Sequence, residues 1–325
     1  MIIYTKKKGI LHKQHLALTD DLPKNTAWID LINVSSEEEK KLEDYFKIDI
    51  PTPEETKDTS VSNRLYEENG AIYMTISLYV SNDGDIYDLE LHTITFVLYK
   101  DLIITLRDIE FDLFENIGLE HSKHMHDDKI CFSVLLTLLE RIINEGATSL
   151  EKIAHRLNKQ NDNLVDSSPE KNTNENSYKT ILNDITKVGN SISKTQESLV
   201  TFNRMLTFLS QIDLMRHHES FHGHIKLFLK DISALREHAN FLSSKVNFLL
   251  DSTLGLINIE QNNIIKIFSV VSVIFTPPSL IATIYGMNYE FVPEFKWQLG
   301  YPWALTLILI SSILPYYYFK RKKWL

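Results

Sequence analysis

The sequence predicts an α+β membrane protein: a cytoplasmic α/β domain, then long helices, then a two-helix transmembrane hairpin at the C-terminal end. Three observations predict it. Two uncharged, largely apolar runs, Ile267 to Tyr289 and Leu299 to Phe319, stand close together at the end of the chain. The β-rich runs all lie upstream of Glu120. Between these two regions the chain is polar with long stretches of helical periodicity.

In chain order, Met1 to Gly9 carries lysines with no apolar core after them, so it does not read as a signal peptide. Ser35 with Glu38 starts a short helix through a capping box. Ala71 to Val80, Thr93 to Tyr99 and Ile103 to Leu106 are β-rich, and Asn82, Asp83, Gly84 and Asp85 form a turn. Helical patterning runs from Lys129 to about Lys159. The stretch 161–176, rich in Asn, Asp, Ser and Glu, reads as a flexible helix-to-helix loop. A further helix spans Tyr178 to Met215, and a last long one starts near Ile225 and passes through Asp251 into the first apolar run.

The expected organisation is therefore a cytoplasmic α/β domain over 1–125 and long helices over 126–262. A transmembrane helix over 263–289, an external loop over 290–298, a second span over 299–319 and a basic tail over 320–325 follow. A bilayer core of about 30 Å needs about 20 helical residues, and both apolar runs reach that length. Lys320, Arg321, Lys322 and Lys323 close the second span and Lys266 precedes the first, while the intervening loop is mainly acidic. Positive residues mark the cytoplasmic side, so both termini are expected there.

Composition narrows the partners. The net charge is -9 although four basic residues sit together near the end, so the cytoplasmic part is decidedly acidic and nucleic acid is excluded as a partner. Cys131 is the single cysteine and permits no intrachain disulfide, as a reducing compartment predicts.

The first span carries a row of polar residues. Steps of three and four connect Asn262, Ile265, Ser269, Ser272, Thr276, Ser279 and Thr283, and Asn258, Gly255 and Asp251 extend the row toward the cytoplasm. Its outer end reaches Asn288. A lone helix in lipid gains nothing from such a row. Close helix packing is one reading. A water-filled cation pathway is the other, and it alone accounts for an amide and a carboxylate at the two mouths. One polar helix cannot enclose a pore, so this second reading requires several copies around an axis.

A separate motif, His218-Glu219-Ser220-Phe221-His222 with His224 nearby, fits the HExxH spacing of zinc hydrolases. It lies at a tip between two long polar helices with no enclosing apolar pattern, so a surface cluster is the better account. A membrane-tethered zinc hydrolase is the alternative it represents.

Several segments together resemble the CorA magnesium and cobalt transporters. They are Ile259-Glu260-Gln261-Asn262, the apolar stretch with Pro277 and Pro278, Tyr285-Gly286-Met287-Asn288, the loop from Tyr289 to Trp297, Gly300-Tyr301-Pro302, and the ending from Tyr318 to Leu325. The resemblance implies a funnel-shaped homopentamer in the inner (plasma) membrane of a bacterium, with the first span of each subunit lining the pore. It implies a selectivity filter of Gly286, Met287 and Asn288, with the Asn288 amides forming a ring around a hydrated Mg2+. Pore positions carried over are Asn262, Ile265, Phe268, Ser272, Thr276, Ser279 and Thr283. Some relatives have Met at the place of Thr276 and Gly at that of Thr283, so a hydrophobic gate here rests on Ile265 and Phe268 alone.

Mg2+ holds its water tightly and prefers oxygen, which suits an amide ring acting through those waters. Neither span has a cysteine or histidine, which weighs against soft-metal or nitrogen ligation, although a zinc or nickel carrier on the same scaffold is the nearest alternative. Glu290 and Glu294 are expected to concentrate cations at the outer mouth. The resemblance further implies that intracellular Mg2+ bound between cytoplasmic domains holds the pore shut. Asp83, Asp85, Asp88, Glu90 and Asp231 are candidate carboxylates that spacing alone does not pair. Co2+ is a possible second cargo, and no organic cofactor or nucleotide motif is expected.

Overall fold

The three β-rich runs fall in a seven-stranded sheet, together with four strands that no such run marked, in the computed structural model, which describes residues 1–7, 10–17, 20–52, 55, 64–81, 85–115, 117, 130–166, 175–212, 218–288, 293–322 and 324. The strands are β1 (Ile2–Lys7), β2 (Ile10–His15), β3 (Thr26–Ile32), β4 (Leu65–Glu68), β5 (Ala71–Ser81), β6 (Leu89–Tyr99) and β7 (Leu102–Arg107). Their order is β2-β1-β3-β7-β6-β5-β4. Only the β3–β7 pairing is parallel among these neighbours. The chain divides into two compact units, one of Met1–Asn163 with Thr180–Leu249, the other of Leu164–Lys179 with Leu250–Leu325.

In the first unit, β5 from Ala71 to Leu78 and all of β7 are buried. A strand covered on both faces reads as a continuous apolar run rather than an alternating one. On one face Ile29, Leu31, Tyr73, Val97 and Ile104 pack with Leu42 of α1 (Ser36–Phe46). That helix opens on the expected capping box: the Glu38 amide donates to Ser35 Oγ at 3.3 Å and the Ser35 amide to Glu38 Oε2 at 3.1 Å.

The central strands β3 and β7 share a buried charged network that no local pattern announces. Arg107 donates from Nη2 to Asp30 Oδ2 at 2.8 Å and from Nε to Oδ1 at 3.1 Å. Thr105 Oγ1 donates to Asp30 Oδ1 at 2.7 Å and accepts from Trp28 Nε1 at 3.0 Å. Asp30 is 1% and Arg107 7% exposed, and this paired geometry is what makes burying both charges tolerable. Tyr4 stacks on Trp28 at 4.0 Å, and burial, with the Asp30 charge beside it, pushes its hydroxyl pKa up to about 12.

Long helices α2 (Ile130–Asp166) and α3 (Glu175–Gln211) follow. On α3 the buried residues Ile181, Ile185, Val188, Ile192, Thr195, Leu199, Phe202, Leu206 and Leu209 follow steps of three and four, the amphipathic pattern of a helix with one packed face. α3 also ties down β5 directly: the Tyr79 amide donates to Ser198 Oγ at 2.8 Å and Thr201 Oγ1 donates to the Ser77 carbonyl at 2.8 Å.

Several boundaries differ from expectation. The loop expected over 161–176 is shorter at both ends, since α2 continues to Asp166 and α3 begins at Glu175. Burial of Leu164 gives the polar stretch before Asp166 an anchored helical face, which overrides its weak propensity. α3 ends at Gln211 rather than near Met215, and Met215 lies outside the described residues. The next helix, α4 (Glu219–Tyr285), starts six residues before Ile225 and stops before Tyr289. Of the expected turn, Asn82, Asp83 and Gly84 lie outside the described residues.

The second unit holds the C-terminal part of α4, a 3-10 turn at Pro293–Lys296 and α5 (Gly300–Arg321). Lys266 Nζ stands 5.7 Å from the Trp324 ring centroid. At the other end, Ala282, Tyr285 and Gly286 share a cavity of about 500 Å³ with Tyr301, Ala304, Leu305 and Ile308. Gly300 is required where α5 begins, because a Cβ there would run into the Glu294 carbonyl.

Candidate functional site

The two apolar helical stretches are long enough to cross a membrane, and almost none of either is buried within the chain. Phe275 is 65% and Leu314 66% exposed. Water is an unfavourable neighbour for so much apolar surface, at about 25 cal/mol per Å². Val270 is the exception on the first stretch, at 1% exposure.

Along α4, Asp251, Asn258, Asn262, Ile265, Phe268, Ser272, Thr276, Ser279 and Thr283 are all exposed in the single chain. The hydroxyls bond back to the turn before them. Ser269 Oγ donates to the Ile265 carbonyl at 2.8 Å and Thr276 Oγ1 to Ser272 at 2.6 Å. Ser279 Oγ donates to Phe275 at 2.9 Å and Thr283 Oγ1 to Ser279 at 2.7 Å. A hydroxyl whose proton is spent on its own helix leaves its oxygen lone pairs as acceptors, the polarity that a hydrated cation requires. Thr306 of α5 makes the same kind of bond to Pro302 at 2.8 Å, so back-bonding alone does not mark a pathway. The continuous row on α4 is the distinguishing feature. Within it, Pro277 and Pro278 have no amide proton, which removes the usual i+4 donors from the Val273 and Ile274 carbonyls while the helix continues.

The outer end of α4 is tightened by the residues of the Gly-Met-Asn segment. The Gly286 amide donates to Ala282 and Thr283 carbonyls at 3.0 and 3.2 Å, and the Met287 amide to Ile284 at 3.2 Å. A Cβ at Gly286 would stand 3.3 Å from the Ala282 carbonyl, closer than an ordinary contact, so glycine is favoured at this turn. Asn288 follows directly and is exposed. Glu294 lies in the 3-10 turn before α5, whereas Glu290 lies outside the described residues.

The other candidates are dispersed. Asp85 Oδ1 accepts from the Tyr87 amide at 3.0 Å, and Glu90 Oε2 lies 3.8 Å from His92 Nε2. The Asp88 amide donates to the Asp85 carbonyl at 3.2 Å, Asp231 lies on α4, and Asp83 lies outside the described residues. Among the described residues no group of three His, Cys, Asp or Glu side chains is placed to hold a metal ion. In the HExxH segment the His218 ring sits edge-on to Phe132 at 5.0 Å and the buried Phe221 ring lies 5.0 Å from the same Phe132; His224 Nδ1, just beyond it, lies 2.8 Å from the Ser220 carbonyl. Sequence reasoning missed one polar cluster, in which Arg156 contacts Tyr87 and Asp184 at 2.7 and 2.5 Å. Its partners come from three separate elements, so no local spacing signals it.

The family model and the curated relatives agree on one family. The family model described as "CorA-like Mg2+ transporter protein" matches residues 23–321. The chain is 34% identical over 298 residues to the magnesium transport protein CorA of Pasteurella multocida (strain Pm70), covering 92% of each. It is 32% identical over 301 residues to that of Haemophilus ducreyi, covering 93% of this chain and 92% of the relative. The complete structure of the CorA magnesium transporter from Methanocaldococcus jannaschii superposes with a TM-score of 0.80 at 18% identity, covering 100% and 99% of the two chains, a likeness of fold.

Proposed function

The chain belongs to the CorA-like Mg2+ transporter family, and from that premise we propose that it is a homopentameric channel-type importer of hydrated Mg2+, with Co2+ as a second cargo. The observation that carries this reading is the row of exposed hydroxyl and amide groups on α4, ending at Gly286-Met287-Asn288. In the assembled pentamer the rows face a common axis, and the five Asn288 amides hold the ion through its water shell. Gly286 lets the last turn close so that Asn288 sits at the mouth, and Met287 completes the filter. Glu290 and Glu294 raise the local cation concentration there.

Below the filter, Thr283, Ser279, Thr276 and Ser272 replace bulk water around the moving ion. Phe268 and Ile265 form the narrow apolar section, and Asn262, Asn258 and Asp251 receive the ion on the cytoplasmic side. Assembly is supported by apolar residues on the earlier part of α4 that the single chain leaves exposed: Leu227 at 53%, Phe241 at 63% and Phe248 at 63%. Their separations are multiples of seven, the repeat of a helix packed along another helix. A membrane potential of 100 mV, negative inside, contributes about 4.6 kcal/mol to the entry of a divalent cation, so no nucleotide is needed.

Both termini lie in the cytoplasm of a bacterial inner membrane, with the sheet and long helices before residue 263 forming the cytoplasmic part. Intracellular Mg2+ closes the pore, with Asp83, Asp85, Asp88, Glu90 and Asp231 as the carboxylates to test. The decisive experiment is metal-specific uptake by the purified protein in liposomes, comparing Mg2+, Co2+, Ni2+ and Zn2+. Wild-type protein is expected to admit Mg2+, and Asn288→Ala to abolish uptake with insertion and oligomer mass unchanged. Normal Mg2+ uptake by that variant would sink the filter assignment.

A further inference from the structure

The ends of the two apolar helices that meet at Lys266 and Trp324 carry a concentration of positive charge that forms no ion pair among the described residues. Lys266 lies on the Trp324 ring, and Trp324 stacks on Phe319 at 5.5 Å, so the end of α5 is fixed beside residue 266 of α4. Lys320 Nζ sits 5.8 Å over Tyr316 and Lys322 Nζ 5.5 Å over Tyr318. Among the described residues, none of Lys266, Lys320, Arg321 and Lys322 forms an ion pair. The sequence has no Asp or Glu from Gln261 to Tyr289, and none after Glu294, in a chain whose net charge is -9. Immediately beyond the cations the surface is apolar and exposed, with Ile267 at 59%, Leu314 at 66% and Tyr317 at 66%.

We propose that this collar binds the headgroup of an anionic phospholipid, with Lys266 and Lys320, Arg321 and Lys322 holding the phosphate and the adjoining apolar wall receiving the acyl chains. The proposal rests on the reading of both helices as membrane spans. A free phosphate ion satisfies the cations but leaves the apolar wall uncovered, whereas a lipid matches both. Trp324 contributes by holding Lys266 in place, and its ring has the amphipathic character suited to the headgroup layer. One lipid held this way bridges the base of the first span to the base of the second.

Native mass spectrometry of the full-length protein in neutral detergent tests this, using phosphatidylglycerol and phosphatidylcholine with identical acyl chains. Each cation near a lipid phosphate is worth about fivefold in affinity. Wild-type protein is expected to retain phosphatidylglycerol at least tenfold better than phosphatidylcholine. Lys266→Gln should lower that retention about fivefold, and the combination K320Q/R321Q/K322Q should reduce it to the phosphatidylcholine level. Trp324→Ala keeps every charge and should still lower it severalfold.

Equal retention of the two lipids by wild-type protein overturns the proposal, as does an equal loss in K226Q/K230Q, which removes exposed lysines elsewhere. Displacement of the lipid by an equal concentration of glycerophosphoglycerol, which has the headgroup without the chains, makes this a free-phosphate site and also overturns it. Flotation of the protein with vesicles separates the two readings: failure to float refutes the spans, and flotation without phosphatidylglycerol preference refutes the collar alone.

Discussion

Replacing Ser279 with Ala removes one hydroxyl from the α4 row and leaves the backbone of the helix intact. Ser279 Oγ is exposed in the single chain and its proton is already committed to the Phe275 carbonyl at 2.9 Å. The substitution therefore deletes an outward acceptor and little else. A hydrogen bond between such an acceptor and a water of the hydrated ion is worth about 1 kcal/mol net. In a ring of five, an ion that touches two copies at once loses about 2 kcal/mol, which slows conduction about thirtyfold.

Thr306→Val is the matched control, because Thr306 is equally exposed and makes the same back-bond, to Pro302 at 2.8 Å, but lies on α5 off the row. The assay is Mg2+ entry into liposomes carrying a Mg2+-sensitive dye, under an imposed potential negative inside. Ser279→Ala should be about thirtyfold slower than wild type and Thr306→Val within twofold of it. If both variants were equally slow, or if Ser279→Ala conducted within twofold of wild type, the row would be a helix contact rather than an ion path.

Three further outcomes are expected. Single cysteines at Ser272, Thr276, Ser279 and Thr283 in a Cys131-free background should react with small water-soluble thiol reagents and block conduction, whereas those at Val270, Val273, Phe275 and Ile281 should react slowly; equal rates in both sets argue against a wet pore. His218→Ala with His222→Ala should leave transport within twofold of wild type, and loss of transport or peptidase activity in the parent would restore the HExxH motif to a functional role. Partial desolvation at an exposed position, with Glu43, Glu55 and Glu68 nearby, raises the Asp49 carboxyl above its ordinary 3.8, so its ionised form modestly weakens the folded state at neutral pH. Asp49→Asn should therefore raise Tm at pH 7, and the gain should shrink as pH falls through the raised pKa and vanish below 3.8, where wild-type Asp49 is protonated in both states; a gain that persists unchanged at low pH contradicts this cause.

The sequence by itself determined what depends on local composition and short spacing. The two apolar runs are legible because a span needs only length and absence of charge, and the Ser35–Glu38 cap because its partners lie within one turn. The strands β5, β6 and β7 were found as apolar runs, and the row on α4 as a period. What only the tertiary structure decided depends on residues far apart in the chain. β3 is interrupted by Asp30, which looks like a break until Arg107 and Thr105 are brought beside it by parallel pairing with β7. The end of α2 reads as a loop from composition, but burial of Leu164 gives its helix an anchored face. His218 and His222 have a metal-binding spacing, and the packing of Phe132 against His218 gives the segment a different use. Charge pairing, burial and ring stacking act through space, so a pattern read along the chain cannot contain them.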